Sequence, residues 1–489
     1  MNPPPPPATM IRASPDGHFL VEANGKPFFW LQDWAYELFK VPDRDEVDRY
    51  FSDRSRKGFN VIMAPVTGMT DSFSRPSRYG ERPFVDNDPA RPNLRYFENV
   101  DWIIERGAHY ELRMALLPIW GGAVVGRWDG SSPVFNVDNA EGYGRWIATR
   151  YRQHAIFWVL GGDFNPLWPK LPGRDQSGQN NESGNETSTV IVDHTPLLDA
   201  FAKGLLEGSG GSAFISYHPS GGHWPDTPQA RTSLHLGDRS WLDMNMLQSG
   251  HHMFPEPIAT RIGMESIWNA NFNYEPIRDE YDSSPVRPVI DVEPRLEDEA
   301  INFNPENGYW KAYDIRNAAY HAVFAGAAGI AYGNVGTGLI YSDIEWLRLL
   351  QLRHRHALSS LGSAQMQHAK ALMLSRPYFT RIPDQSVIVG DQWRGEAHVS
   401  ATRDRDGSYA MLYLPHGLDV TVDLTKISGA YAAAWWYDPR NGEATQIDGT
   451  FPTSEARTFE PPSSGADTDW ILVIDDRSRG FLPPGVAGE

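Results

Sequence analysis

Ala155-Ile-Phe-Trp-Val-Leu-Gly-Gly-Asp-Phe-Asn-Pro166 and Pro288-Val-Ile-Asp-Val-Glu-Pro-Arg295 are two short apolar runs, and each stops at a carboxylate, Asp163 and Glu293. Runs apolar at consecutive positions suit strands of a parallel sheet covered on both faces. Windows of the same kind recur at Phe28–Leu31, Asn60–Pro65, Arg113–Ile119, Ala213–Tyr217, Met244–Gln248 and Gly329–Tyr332. With Ile156–Gly161 and Pro288–Val292 they make eight. Amphipathic patterns lie between them at Arg44–Lys57, Tyr96–Arg106, Gly142–Gln153, Pro196–Glu207 and Tyr309–Ala325. The first two stop at Gly58 and Gly107, residues suited to a helix C-terminus. This cadence predicts an α/β fold, a (β/α)₈ TIM barrel over about residues 28–360, with a doubly wound open sheet as the other arrangement it allows.

Outward from the barrel the texture changes. Residues 12–30 read as a hairpin turning at Asn24-Gly25. Met1-Asn2 and the run Pro3–Pro7 read as a polyproline tail or a trimmed export leader. After a helix expected over Tyr341–Leu361, short strands begin near Arg381: Ser386–Gly390, Ala397–Thr402, Tyr409–Leu414, Val420–Leu424, Ala432–Tyr437 and Trp470–Ile474. Their spacing suggests a small antiparallel β-sandwich. The expected organisation is therefore a tail at 1–11, a catalytic barrel at 12–370 and a sandwich at 371–489. Lys170–Thr189, rich in Gly, Ser and Asn, reads as a long rim loop, either a tolerated insertion or a wall over the site.

Composition narrows the function. With 489 residues, 40% apolar and 22% charged, the chain reads as a soluble, two-domain globular protein. A net charge of −18 argues against nucleic-acid or anionic-membrane partners. No apolar stretch reaches the ~18 residues of a membrane span. The chain has no cysteine, so disulfides, thiolate metal sites and cysteine nucleophiles are excluded, while both cytoplasm and periplasm or exterior stay open. The 17 tryptophans serve either an aromatic core or stacking on sugar rings.

In a parallel barrel the residues just after each strand meet at one mouth. Here these are Asp33 and Trp34, Trp120, Asp163 and Asn165, Tyr217 and His218, Gln248, His251 and His252, Asp291 and Glu293, then Tyr332 and Asn334. The set is carboxylates, amides, imidazoles and aromatics, with neither a phosphate loop nor a Schiff-base lysine. It suits a neutral, hydroxyl-rich ligand and needs no cofactor. Two strand-end carboxylates on one rim are what glycoside hydrolysis requires. Gly161-Gly162 before Asp163 allow a tight turn, Pro294 restricts the Glu293 backbone, and Arg295 is placed to pair with Glu293 and keep it ionised. Among alternatives, His218, His251-His252 and Asp291 could form a His/carboxylate metal site, and the barrel could be a non-catalytic glycan binder. His354 and His356 read as surface positions, and no Gly-x-Ser-x-Gly elbow occurs.

Several motifs resemble the apiosidase-like enzymes of glycoside hydrolase family 140. They are Phe29-Trp-Leu-Gln-Asp-Trp-Ala-Tyr-Glu-Leu-Phe, Lys57-Gly-Phe-Asn-Val-Ile, Trp158-Val-Leu-Gly-Gly-Asp-Phe-Asn-Pro, Trp241-Leu-Asp-Met-Asn-Met-Leu-Gln-Ser-Gly-His, Val289-Ile-Asp-Val-Glu-Pro-Arg and Tyr313-Asp-Ile-Arg-Asn-Ala-Ala-Tyr. Pro383-Asp-Gln-Ser, Trp435-Trp-Tyr-Asp-Pro-Arg-Asn-Gly and Asp469-Trp-Ile-Leu-Val resemble the accompanying C-terminal domain, often labelled putative collagen-binding. Nothing in the tail's own residues suggests collagen binding, and a packing role against the barrel is expected instead. The resemblance spans about residues 15–476 and implies a retaining glycosidase that releases apiose, a branched pentose, from plant glycans or glycosides. It implies Asp163 as acid/base and Glu293 as nucleophile. With those two roles taken, the strand-end residues Asp33, Trp34, Trp120, Asn165, Tyr217, His218, Gln248, His251, Asp291 and Tyr332 are expected to bind or stack on the sugar. Phe164, where the family often has Arg, and Gly333-Asn-Val-Gly-Thr-Gly are departures that bear on the substrate.

Overall fold

The computed structural model describes residues 10–69, 73–126, 133–170, 190–221, 231–251, 273–334 and 354–486. The eight apolar windows all form strands: β1 Trp30–Trp34, β2 Val61–Pro65, β3 Arg113–Leu117, β4 Ile156–Gly161, β5 Phe214–His218, β6 Asn245–Leu247, β7 Val289–Asp291 and β8 Gly329–Tyr332. Six pair in parallel as a curled sheet in the order β8-β1-β2-β3-β4-β5, and β6 and β7 form a parallel pair. A parallel bridge from Ser216 to Met244 leads from β5 toward β6. On the other side Ala328 N donates to the Val289 carbonyl at 2.8 Å, joining β7 to the entry of β8. The fold is TIM-barrel-like.

Strand residues alternate between two sides. Trp30, Trp34, Val61, Met63, Ala115, Leu117, Phe157, Val159, Met244, Met246, Ile290 and Val292 share one buried cluster inside the curled sheet. Leu31, Ile62, Leu116, Trp158, Leu160, Ile215, Tyr217, Ile330 and Tyr332 belong to a second, which the helices cover. Both faces are dry, which is why the strands read as continuous apolar runs.

The covering helices are α1 Arg44–Arg56, α2 Leu94–His109, α3 Val137–Tyr151, α4 Thr195–Ser209, α5 Tyr274–Tyr281, α6 Ala312–Phe324 and α7 Leu361–Leu374. Asp43 and Glu46 form a reciprocal capping box at the start of α1, and Gly58 beyond its end takes a φ of +77°. Gly107 does not stop α2, which continues to His109. It is buried in the helix instead, where an added Cβ would lie 3.2 Å from Met114 Sδ. Of the helix expected over 341–361, residues 341–353 lie outside the described residues, and α7 runs across the expected division at 370/371. Among the described residues no helix is long and apolar enough to cross a membrane.

The C-terminal region is antiparallel and β-rich. Arg381–Pro383, Ser400–Asp404, Tyr409–Leu414, Trp470–Asp476, Tyr431–Tyr437 and Ala444–Gln446 lie side by side in that order, with Phe451–Pro452 also paired to Tyr431–Tyr437. A second sheet joins Ile388–Val389, Val420–Asp423 and Ala456–Phe459. Ile388, Val422 and Phe459 from the small sheet share an apolar cluster with Leu412, Trp436 and Leu472 from the large one.

Buried cations seal this region to the barrel helices. Arg316 of α6 donates twice to Asp469, at 2.9 and 2.7 Å. Arg376, just beyond α7, makes a bidentate pair with Asp475 at 2.8 Å through each nitrogen. Arg381 donates to the carbonyls of Val323 and Ala327, and Tyr320 stacks on Tyr413 at 5.2 Å. Removing one partner of such a pair leaves a buried charge uncompensated, at a cost of about 3–5 kcal/mol. Asp469→Ala should therefore lower stability by about that amount, read as an earlier denaturant midpoint than wild type.

Candidate active site

Glu293 follows β7, and its backbone is held on three sides. Val292 N donates to the Leu247 carbonyl at 2.8 Å, and Gly250 N donates to the Glu293 carbonyl at 3.0 Å. From β1, on the other side of β8, Trp34 Nε1 donates to the Val292 carbonyl at 2.7 Å, joined by Gln32 Nε2 at 3.5 Å.

The carboxylate is buried and takes two imidazoles. His218 Nε2 lies 2.9 Å from one oxygen and His251 Nε2 lies 2.9 Å from the other. The opposite nitrogen of His218, Nδ1, accepts the backbone N–H of Asp163 at 3.2 Å. A ring that accepts at Nδ1 carries its proton on Nε2, so His218 donates to Glu293. One imidazole thus bridges the two strand-end acids.

The chain reaches this geometry through three successive positive φ angles, +89° at Gly161, +100° at Gly162 and +61° at Asp163. A Cβ on Gly161 would lie 2.4 Å from the His218 carbonyl, so only glycine fits there. Asp163 is a non-glycine held left-handed, a strain of about 1–2 kcal/mol concentrated where the side chain is aimed. Ser220 Oγ reaches Asp163 Oδ1 at 3.4 Å, and Ser220 N donates to Asn165 Oδ1 at 3.1 Å, tying the loops after β4 and β5 together.

The electrostatics follow from burial and these contacts. Burial acts to raise the Glu293 pKa, but hydrogen bonds from His218 and His251, with the charge of the His251 ring, hold it well below the usual carboxylate range. Burial acts to lower that of His251, yet Glu299 and Glu293 push it up to about 9. Glu299, pushed up by burial to about 7, stands with Oε2 3.0 Å from His251 Nδ1. Aromatic rings wall the site. Tyr36 stacks on Trp34 at 4.5 Å, and Trp120 meets both edge-on and packs on His218 at 5.9 Å. Burial, with the charges of Glu293 and Glu299, pushes the Tyr36 hydroxyl well above its ordinary value.

Residues 14–380 match the sequence profile described as the apiosidase-like catalytic domain. The chain belongs to the apiosidase-like family. Residues 382–475 match a second profile, described as the putative collagen-binding domain of a collagenase. Two solved structures are each 28% identical to the apiosidase-like chain with a TM-score of 0.81. One is titled a glycoside hydrolase, with 96% of this chain and 98% of that one covered. The other is a glycoside hydrolase family 5 protein from Bacteroides vulgatus, with 98% and 96% covered. A putative glycoside hydrolase from the same organism, 12% identical over 96% of this chain and 82% of its own with a TM-score of 0.59, shares the fold. No curated protein matches in sequence. With the family, the 28%-identical structures make this chain a glycoside hydrolase acting on carbohydrate.

Within this apiosidase-like site, the structure separates the residues expected at the mouth. Trp34, Trp120, His218 and His251 gather around Glu293, while Gln248 is buried after β6 with its Oε1 unpartnered. Four others turn to the helix side, because side chains alternate along a strand and theirs are on the outer parity. Asp33 is fully buried between Tyr50 Oη at 2.6 Å and Arg54 Nε at 2.5 Å. The Tyr217 hydroxyl donates to the Phe164 carbonyl at 2.5 Å, bracing the loop that carries Asp163. Asp291 accepts from Ser249 N and Oγ and from Asn273, bracing the turn that carries His251. Tyr332 donates to Glu297 at 2.6 Å. Asn165 likewise spends its side-chain oxygen on Ser220 N. Arg295 packs over Trp310 and donates to the Asp314 carbonyl at 3.2 Å, and the hydrogen bonds that hold Glu293 come from the histidines. His252 and loop residues 171–189 lie outside the described residues. Among the described residues no cluster of three or more His, Asp or Glu side chains is arranged to hold a metal ion.

Tyr36, Ser220 and Glu299 were missed at the sequence level. Tyr36 sits two residues beyond Trp34, at the spacing that returns to the same face, which is a signal the pattern did offer. Glu299, in Leu296-Glu-Asp-Glu-Ala300, has no sequence mark to separate it from a solvated acidic turn.

Two outcomes follow from this geometry. Asp33→Asn should destabilise the fold by roughly 3 kcal/mol in denaturant melts, by removing the fully buried one of the two carboxylates that pair with the Arg54 guanidinium, Asp53 being the other, while leaving KM for any hydrolysed glycoside near wild type. His251 binds its proton more tightly folded than unfolded. Its contribution is therefore full below the ordinary 6.5 and is lost as pH rises to about 9. His251→Gln should remove that part of the alkaline decline when melting temperature is followed across that interval.

Proposed function

We propose that this enzyme is a retaining glycosidase that releases a terminal pentose, apiose, from plant glycans or glycosides. The observation that carries the proposal is the imidazole bridge: one acid is held ionised by two N–H donors, while the other is set at the end of the same ring through its backbone. Glu293, ionised, then attacks the anomeric carbon as Asp163 gives its proton to the glycosidic oxygen. Asp163, now a carboxylate, takes a proton from water, which attacks the anomeric carbon and releases Glu293. Trp34, Tyr36 and Trp120 offer ring faces and edges to the sugar, and Gln248 an unpartnered amide oxygen to a hydroxyl. Apiose rests on the family name and on the motifs quoted above. We also read the curled sheet as closing into eight strands, the two C-terminal sheets as a sandwich, and the division as barrel 12–370 and sandwich 371–489.

The test is hydrolysis of apiose-containing aryl glycosides and pectin fragments, with the anomer of the first product followed by proton NMR. Retention of configuration is expected, and first-formed inverted product would overturn the mechanism. Glu293→Gln should reduce kcat/KM by about 10³-fold or more, whatever the leaving group. Asp163→Asn should lose far less on a nitrophenyl glycoside, whose departure needs little protonation, than on a poor leaving group.

A further inference from the structure

Behind the Glu293–His251 pair stands a second buried carboxylate that the two-acid mechanism does not use. Glu299 is 2% exposed, and its Oε2 lies 3.0 Å from His251 Nδ1. Neither of those two atoms has an aligned hydrogen-bond partner, so the contact is held by charge. The backbone of Glu299 is fixed independently, since its N–H donates to the Leu296 carbonyl and its carbonyl accepts from Trp310 N. Trp310 Nε1 in turn donates to the His251 carbonyl at 3.3 Å, so one indole braces both partners. Carboxylate, imidazole and carboxylate run in series from Glu293 through His251 to Glu299.

We propose that Glu299 is a positioning residue for hydrolysis: it keeps the second proton on His251 Nδ1, so that Glu293 faces an imidazolium throughout the reaction. An isolated carboxylate buried this deeply is costly, and an acid against an imidazole that already serves a second acid is retained for what it does to that ring. When Glu293 becomes an ester it loses its charge, and the His251–Glu299 pair is left neutral as a unit. When the ester is cleaved, the same imidazolium receives the departing carboxylate. The arrangement thus favours Glu293 both as nucleophile and as leaving group. The charged and titratable groups facing this line are His218, 2.9 Å from the other Glu293 oxygen, Asp163 on the His251 side, and Tyr36, which faces both Glu293 and Glu299. The elevated proton affinities of His251 and Glu299 agree with one tightly held proton between them.

The proposal rests on Glu293 as the nucleophile, and the experiment separates the two claims. Nitrogen-15 histidine NMR of the full chain follows His251, assigned by its loss in His251→Gln. In wild type the ring should keep both protons to about pH 9, and in Glu299→Gln it should lose one at least a full pH unit lower. In parallel, kcat of Glu299→Gln should fall about tenfold or more with KM little changed. The alkaline limb of its pH–rate profile should move down with the His251 titration, and Glu299→Asp should restore part of both. In the Glu299→Gln/His251→Gln double variant the loss should match that of His251→Gln alone. A His251 titration unchanged by Glu299→Gln overturns the proposal. Should that variant not fold, wild-type His251 losing its second proton near the ordinary 6.5 overturns it equally. Absence of turnover in wild type would instead sink the glycosidase reading and leave the titration to answer for Glu299.

Discussion

A carboxylate that must stay charged in a dry pocket organises this molecule. Burying Glu293 without partners would cost many kcal/mol or force it to take up a proton. The fold meets that cost by bringing three strand ends together. β5 supplies His218, the turn after β6 supplies His251, and the chain after β7 supplies the acid itself. β1 then reaches across to fix the backbone beside it through Trp34. None of these contacts is local in sequence. They exist because parallel strands deliver their C-terminal ends to one rim, so the sheet serves electrostatics as much as packing.

The outer parity of the strands performs a supporting task with the same economy. Tyr217 braces the turn that carries Asp163, and Asp291 braces the turn that carries His251. Both do so from the helix side, out of reach of any sugar. The residues that approach a substrate and those that hold them therefore alternate along single strands. A polar residue near the end of a strand can belong to either set.

This explains what was legible in the sequence. The eight strands could be read because two dry faces leave no alternation to blur the apolar runs. The end positions of Asp163 and Glu293 were legible for the same reason. Parity near the rim was not: Asp33, Tyr217, Asp291 and Tyr332 sit beside the mouth in sequence and point away from it in space. Gly107 shows the same limit in a helix, where a residue suited to ending a turn was selected for close packing on Met114. The partner of Glu293 was also out of reach. Arg295 is its near neighbour in sequence, but the histidines that hold it are 75 and 42 residues away, a pairing that only the assembled fold creates.

The cations between barrel and tail bear on how such a gene can be cut and rejoined. Arg316 and Arg376 lie on α6 and just beyond α7, whereas Asp469 immediately precedes the last long strand of the chain and Asp475 lies in it; Arg381, in the first strand of the tail, reaches back to the carbonyls of Val323 and Ala327. Release of the tail would expose Tyr320 and leave Arg316 and Arg376 without their counter-charges. The two regions are thus electrostatically co-dependent. Recombination that exchanged one without the other would have to carry its complementary acids along, and a lineage with this seam is expected to inherit both halves as one unit.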